Sequence, residues 1–191
     1  MNNIMCLINR KICTYKKNGG IGVEELVERA KLKEEQAFDK IILMVEKEMY
    51  AIARNKLNND DDIADAMQET ILKAFKNIHK LRDASLFKTW IIRILINECN
   101  RMYKKRKKNI ISLDENDLDV KDETYNADNL SFQILIKNLN SEEKIILTLY
   151  YYSQYTTKEI SKILRVNENT IKSKIIRAKK KLKKEYGGET L

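Results

Sequence analysis

The chain has 191 residues, of which 37 are Lys or Arg and 28 are Asp or Glu, giving a formal net charge of +9. That length holds one domain or two small ones. Three unpaired-looking cysteines (Cys6, Cys13, Cys99) and a single His exclude the common zinc arrangements and argue against a disulfide framework, leaving free thiols in a reducing cytoplasm.

No stretch approaches the ~20 apolar residues of a membrane span, so no membrane insertion of its own is expected. No glycine-rich phosphate loop or metal cluster is present either, so the chain reads as no enzyme, with no metal and no cofactor. Proline is absent and glycine occurs five times, so the fold class reads as all-α.

Charge is segregated along the chain. Residues 88–108 carry eight basic residues against one acidic, and residues 158–191 carry eleven against four. Between them, residues 114–128 carry one basic residue against seven acidic. Two basic blocks parted by an acidic segment suggest two surfaces for a polyanion.

Residues 1–22 form an N-terminal tail that fits poorly with the rest of the chain. It has neither an uninterrupted apolar core nor a small-residue cleavage site, so it is not a signal peptide. One reading takes Gly19-Gly20 as a translated ribosome-binding site with the native start at Val23; the other takes the stretch as a genuine tail. From Val23 the pattern becomes regular. Leu26, Val27 and Ala30 begin a short amphipathic helix. Ala37, Phe38, Ile41, Ile42, Val45, Met49, Ile52 and Ala53 mark a longer one. The run Asn58-Asn59-Asp60-Asp61-Asp62 breaks it and supplies an acidic start for the next helix, where negative charge is favourable.

That third helix, Ile63 to about Ile78, should bury Ile63, Met67, Ile71, Ala74 and Ile78. Its other side carries Asp65, Gln68, Glu69, Leu72 and Lys76 within one face, by ~100° steps. A single exposed leucine is ordinary; the functional alternative is a protein-docking patch centred on Leu72.

Arg82-Asp83-Ala84-Ser85 reads as a loop, followed by a basic helix from Leu86 to about Lys105 with Trp90 and Ile94 inward. Asn97 falls on that same side and is expected as a buried, hydrogen-bonded amide. A small polar loop beside Phe87 and Trp90 suits unpaired bases, with Arg93, Asn100, Arg101, Lys104 and Lys105 the candidate nucleic-acid contacts. Residues 109–130 have too little apolar content to fold alone and read as an acidic, flexible linker. Fully extended at ~3.3 Å per residue it could reach about 70 Å.

Helical periodicity returns at Leu130, with Ile134, Leu135 and Leu139 apolar and Ser141 capping the helix that carries Ile145, Ile146 and Leu149. Tyr150, Tyr151, Tyr152 and Tyr155 read as core and interhelix packing. Thr156 followed by Glu159 is a capping-box pattern that starts a helix at Thr157, with Ile160, Ile163 and Leu164 apolar. After Arg165-Val166-Asn167, with Asn167 as cap, Ile171, Ile175, Ala178 and Leu182 form the stripe of a second helix. Its outer face carries Asn169, Ser173, Ile176, Arg177, Lys180 and Lys184. Two short helices, a tight turn and a basic outer face describe a helix-turn-helix, whose second helix suits the major groove. Ile176 can meet a thymine methyl and Arg177 a guanine edge or a phosphate.

Four motifs in order then carry a resemblance over residues 23–185. They are Asp65-Ala-Met-Gln68-Glu69-Thr70; Thr89-Trp90-Ile-Ile-Arg93-Ile94 with Asn97; Glu159-Ile160-Ser161; and Thr170-Ile171-Lys172-Ser173-Lys174 with Arg177-Ala178. Together they resemble a sigma-70-family RNA polymerase sigma factor of the extracytoplasmic-function (ECF) group. The resemblance implies a region 2 domain at 23–108, the linker at 109–130 and a region 4 domain at 131–191.

It implies partners as well: core RNA polymerase, promoter DNA and an anti-sigma factor. Asp65, Gln68, Glu69 and Leu72 would dock on the polymerase. Arg82, Asp83, Ser85, Lys88, Arg93, Asn100, Arg101 and Lys104 would meet the −10 element. Asn169, Thr170, Lys172, Ser173, Ile176, Arg177 and Lys180 would read the −35 element. The alternative is an autonomous helix-turn-helix regulator that binds duplex DNA without polymerase.

Overall fold

The computed structural model of the chain describes residues 22–109 and 127–186. The readings of the N-terminal tail and of most of the acidic linker lie outside the described residues. Among these residues every regular element is helical, and the helices divide into two compact units, one carrying residues 22–109 and the other the bulk of 127–186.

The first unit has four helices: α1 (Val23–Lys31), α2 (Glu35–Arg54), α3 (Asp60–Asn77) and α4 (Phe87–Asn109). Leu26, Val27 and Ala30 of α1 are buried, as is the Ala37/Phe38/Ile41/Val45/Met49/Ile52/Ala53 side of α2. Between α2 and α3 the chain turns at Asn59, whose side chain accepts hydrogen bonds from the amides of Asp61 and Asp62. The three aspartates therefore sit in the first turn of α3, against the positive end of its dipole.

The buried stripe of α3 is rotated from its expected position. Ile63, Ala66, Thr70 and Ala74 are buried, with Ile78 in the adjoining 3-10 turn, while Met67 and Ile71 are only half-buried. Thr70 can lie inside because its hydroxyl donates 2.7 Å to the carbonyl of Ala66, one turn back.

Helix α4 departs further from the expected phase. Its core side is Phe87, Ile91, Ile92, Leu95, Ile96 and Cys99; Trp90 and Ile94 are half-buried and Asn97 is exposed. In a run as apolar as Trp90–Ile96 several phases of a 3.6-residue repeat fit, and packing against α3 and α2 selects one. Burial pushes the Cys99 thiol up to about 12, as expected for a thiolate denied water.

The second unit comprises α5 (Ala127–Ile136), α6 (Ser141–Leu147), a π-turn over Thr148–Tyr152, α7 (Thr157–Leu164) and α8 (Glu168–Tyr186). In α5, Phe132 and Ile136 are buried and Ile134 is exposed, so the core side differs from the expected one. Asn140 caps α6, and Ser141 is its first residue. The Asn140 side chain accepts from the Glu143 amide at 2.9 Å, and the Glu143 carboxylate accepts in return from the Asn140 amide at 3.3 Å.

Tyr155 is buried, while Tyr150, Tyr151 and Tyr152 are half-buried. Tyr150 and Tyr151 meet edge to face at 4.9 Å, and the Lys179 ammonium lies over both rings. Chain reversals at Gln154 (φ 59°) and Arg165 (φ 55°) use the left-handed region without glycine, at an order of 1–2 kcal/mol each.

Candidate nucleic-acid and polymerase interfaces

The helix-turn-helix forms where its local chemistry directs. Thr156 accepts from the Glu159 amide at 3.2 Å, and the Glu159 carboxylate accepts from the Thr156 amide at 2.8 Å, which starts α7. The chain leaves α7 at Arg165, in the left-handed conformation, and Asn167 accepts from the Asn169 amide at 2.8 Å to open α8. Thr157 and Glu168 join the two helices through a 2.8 Å hydrogen bond. The bonds from Lys172 and Thr157 hold the Glu168 carboxyl below its usual range.

Ile160 and Ile163 of α7 and Ile171, Ile175 and Ala178 of α8 are buried between and behind the helices; Leu182 is half-buried. Seven residues of α8 are −35 candidates. Asn169, Lys172, Ser173, Ile176, Arg177 and Lys180 are exposed, and Thr170 is half-buried at the edge of that face. Ile176 is 56% exposed among them. Ser173 and Arg177 bond back to the helix, Ser173 to the Asn169 carbonyl and Arg177 to that of Ser173. Lys174 is drawn the other way, into an ion pair with Glu142.

In the first unit, Asp65, Gln68 and Leu72 are exposed on α3 and Glu69 is half-buried. Leu72, 51% exposed, does not stand alone. Phe75 beside it is 46% exposed. The two line a shallow groove of about 230 Å³ together with Ile71, Phe38, Glu35 and Asp39. Phe38 and Phe75 meet edge to face at 5.1 Å. Sequence reasoning missed Phe75 because a phenylalanine defaults to the core; the missing signal was its place one turn beyond Leu72 on the same outward side.

The segment before α4 is more ordered than a plain loop. Asp83 accepts from both the amide and the hydroxyl of Ser85, and these bonds, hydroxyl first, hold its carboxyl below the usual range. They build a 3-10 turn over Ala84–Leu86 that leaves Arg82, Ser85, Leu86 and Lys88 exposed.

On α4, steps of ~100° place Trp90, Arg93, Asn97, Arg101 and Lys104 on one outward side, with Asn100 at its border. Asn97, Arg101 and Lys104 are exposed, and Trp90, Arg93 and Asn100 are half-buried. Asn97 thus joins the candidate nucleic-acid face from which its expected burial had removed it.

Beneath that face lies Glu98, 5% exposed. Its carboxylate accepts from Lys73 Nζ at 2.5 Å and from Arg101 Nε at 2.8 Å. Burial opposes its ionisation, but the two bonds outweigh burial and hold the carboxyl below its usual range. Among the described residues no cluster of His, Cys, Asp and Glu could hold a metal ion, and no helix is long and apolar enough to cross a membrane.

Residues 41–109 match the Sigma-70 region 2 family and residues 130–182 match Sigma-70 region 4. The chain is similar to the RNA polymerase sigma factor SigV of Bacillus subtilis, 27% identical over 75% of this chain and 87% of the relative. It is also similar to the ECF RNA polymerase sigma-E factor of Haemophilus influenzae, 24% identical over 82% of this chain and 90% of the relative. In fold it resembles the sigma factor RpoE of Bartonella quintana, solved in complex with the anti-sigma factor NepR. That likeness has a TM-score of 0.67 at 22% identity, over 80% of this chain and 98% of RpoE.

With two family regions in order along one all-helical chain, and relatives matched over most of their length, this protein belongs to the sigma-70 family, in its ECF group of polymerase-directing sigma factors.

Proposed function

We infer that this chain brings core RNA polymerase to promoters with two boxes, reading the −35 element through the outer face of α8 and the −10 element through the Arg82–Lys88 segment and the outer face of α4. The observation that carries this reading is Ile176, 56% exposed at the centre of a face otherwise made of Asn169, Lys172, Ser173, Arg177 and Lys180. An apolar side chain surrounded by donors and cations matches a major-groove edge, where a thymine methyl lies among acceptors. Lys172 and Lys180 supply backbone contacts, which position the helix without reading sequence.

At the −10 element the enzyme needs an unpaired strand. Unstacking a base costs a few kcal/mol, and stacking on an aromatic ring returns ~1–3 kcal/mol per base. Trp90 is half-buried on the outward side of α4 and offers such a ring, beside Arg93 and Asn97. Polymerase docks on Asp65, Gln68, Glu69 and Leu72, with Phe75 and the adjacent groove extending the apolar centre. The domains are region 2 at 23–108 and region 4 at 131–191, with residues 109–130 as the acidic tether between them and residues 1–22 outside both.

Cytoplasmic location and restraint by an anti-sigma factor follow from the same reading, the latter supported by the complex in which the similarly folded RpoE was solved. Run-off transcription tests the whole: purified chain and core polymerase on the DNA upstream of this gene should give a discrete transcript that neither component gives alone. Tight, sequence-specific grip of duplex DNA by the chain without core, and no promoter-specific transcript with it, would mark an autonomous regulator instead.

A further inference from the structure

We propose that Lys73 and Arg101, held side by side by the buried carboxylate of Glu98, form a phosphate clamp for the promoter backbone, with Glu98 as its positioning residue. The clamp rests on the proposed −10 reading and adds to it a cation from α3, the helix otherwise assigned to polymerase docking.

Glu98 stands on the border between the core and outward sides of α4, and both its oxygens are occupied, Oε1 by Lys73 and Oε2 by Arg101. Two cations converge on one anion, so the cluster keeps a net positive charge. The cations are half in water, with side chains 42% exposed for Lys73 and 51% for Arg101, whereas the Glu98 side chain is 7% exposed. The bonding leaves donors free. Arg101 uses Nε towards Glu98, which leaves its terminal guanidinium nitrogens available, and a lysine ammonium has two further protons.

A guanidinium fixed through Nε loses less rotamer freedom on meeting a phosphate than a free one. Arg101 also shares its side of α4 with Asn97 and Lys104, both exposed. A simple strut between α3 and α4 would need only one cation on the carboxylate; the second makes the cluster cationic at the surface.

The clamp and the strut differ in the sign of a measurable effect. Holoenzyme reconstituted from core polymerase and each variant is titrated onto a promoter fragment that wild-type holoenzyme retains, over a range of KCl concentrations. Lys73→Ala and Arg101→Ala should each weaken retention and reduce the slope of log affinity against log salt by about one. Glu98→Gln removes a negative charge beneath a DNA-binding face, so bulk electrostatics alone would tighten binding. Loss of positioning predicts severalfold weaker retention with core binding unchanged.

Unaltered salt slopes in Lys73→Ala, or tighter retention by Glu98→Gln, overturn the clamp and leave a structural ion pair. Should Glu98→Gln fail to fold, the two cation variants decide the matter through their slopes. Failure of wild-type holoenzyme to hold any promoter fragment would be a different result, and would strike the promoter-reading assignment itself.

Discussion

Helices α3 and α8 each expose an apolar side chain, but in different company. On α3, Leu72 and Phe75 line one shallow groove together with Phe38, Ile71, Glu35 and Asp39. On α8, Ile176 is alone among Asn169, Ser173, Arg177 and Lys180. A contiguous apolar surface gains by being covered with another protein surface, since the energy scales with the area removed from water. An isolated methyl-bearing side chain among donors gains little area and matches a groove whose pattern is mostly polar. On the proposed function, the neighbours of an exposed apolar residue, more than its exposure, separate a protein-docking site from a base-reading one.

The largest expected effect tests the protein-docking half. Leu72→Lys combined with Gln68→Lys places two cations in the centre of that surface. It should weaken binding to core polymerase by at least ~2 kcal/mol, as loss of a central interface residue does. Co-purification with core reads this, and circular dichroism should show unchanged helix content, because both side chains are exposed. Normal co-purification would remove α3 from the interface. Phe75→Ala sharpens the same point, since it should weaken core binding only if the groove, and not Leu72 alone, is covered.

The base-reading half breaks differently. Arg177→Ala should cost about 1–3 kcal/mol of discrimination between a cognate −35 element and a mismatched one, measured as the ratio of transcripts from the two promoters at fixed salt. Ile176→Ala should lower affinity chiefly for sites carrying thymine at the contacted position. An unchanged promoter ratio in both variants would mean that α8 binds backbone only.

How far each half could be read from sequence follows from the range of the interactions that build it. The helix-turn-helix was legible because its determinants are local: Thr156 caps with Glu159 three residues away, and Asn167 caps with Asn169 two residues away. The all-helical class was legible for a similar reason. The outward side of α4 was not. Trp90–Ile96 is apolar at nearly every position, so the phase that buries Phe87, Ile91 and Leu95 is chosen by neighbours distant in sequence. Glu98 was missed altogether, because its burial makes sense only once Lys73, 25 residues earlier, lies beside it.

Backbone strain at the turn of the helix-turn-helix gives a smaller effect. Arg165 holds φ 55° in the turn between α7 and α8. A β-branched residue there is penalised most, so Arg165→Val should lower unfolding stability by roughly 1–2 kcal/mol, seen as a reduced urea midpoint. Arg165→Gly should lose none of that strain-related stability, although a more flexible unfolded chain offsets part of the gain. Equal midpoints for Val and Gly would show that the turn relaxes.

Acid titration addresses the first unit, where the Glu98 carboxyl is held below its usual range although burial opposes the bonds from Lys73 and Arg101. Only the difference between these opposed causes survives as pH dependence. A lowered folded-state pKa means that the unfolded chain binds the proton more readily. The contribution is therefore complete above the ordinary glutamate value of about 4.3 and is lost as pH falls through the lowered one. Wild type should lose more stability than Glu98→Gln across that acid window. Parallel curves would show that Glu98 titrates alike in both states.

The smallest effects come from the two capping boxes, and they should differ although their motifs are alike. Thr156→Ala removes an exposed cap from α7 and should cost about 1 kcal/mol. Asn140→Ala removes the cap of α6 and should cost a similar amount. The reciprocal glutamates are not equivalent, however. Glu159 is half-buried and serves only its own helix end, whereas Glu143 is buried and also accepts from Lys181 of α8 at 2.6 Å. Glu143→Gln should therefore lower the urea midpoint more than Glu159→Gln does. Pairing it with Lys181→Ala should give less than the sum of the two single losses, because the second change removes a partner already neutralised. Additive losses would mean that the Glu143–Lys181 ion pair contributes nothing, leaving the Glu142–Lys174 pair and apolar packing to fix α6 to α8.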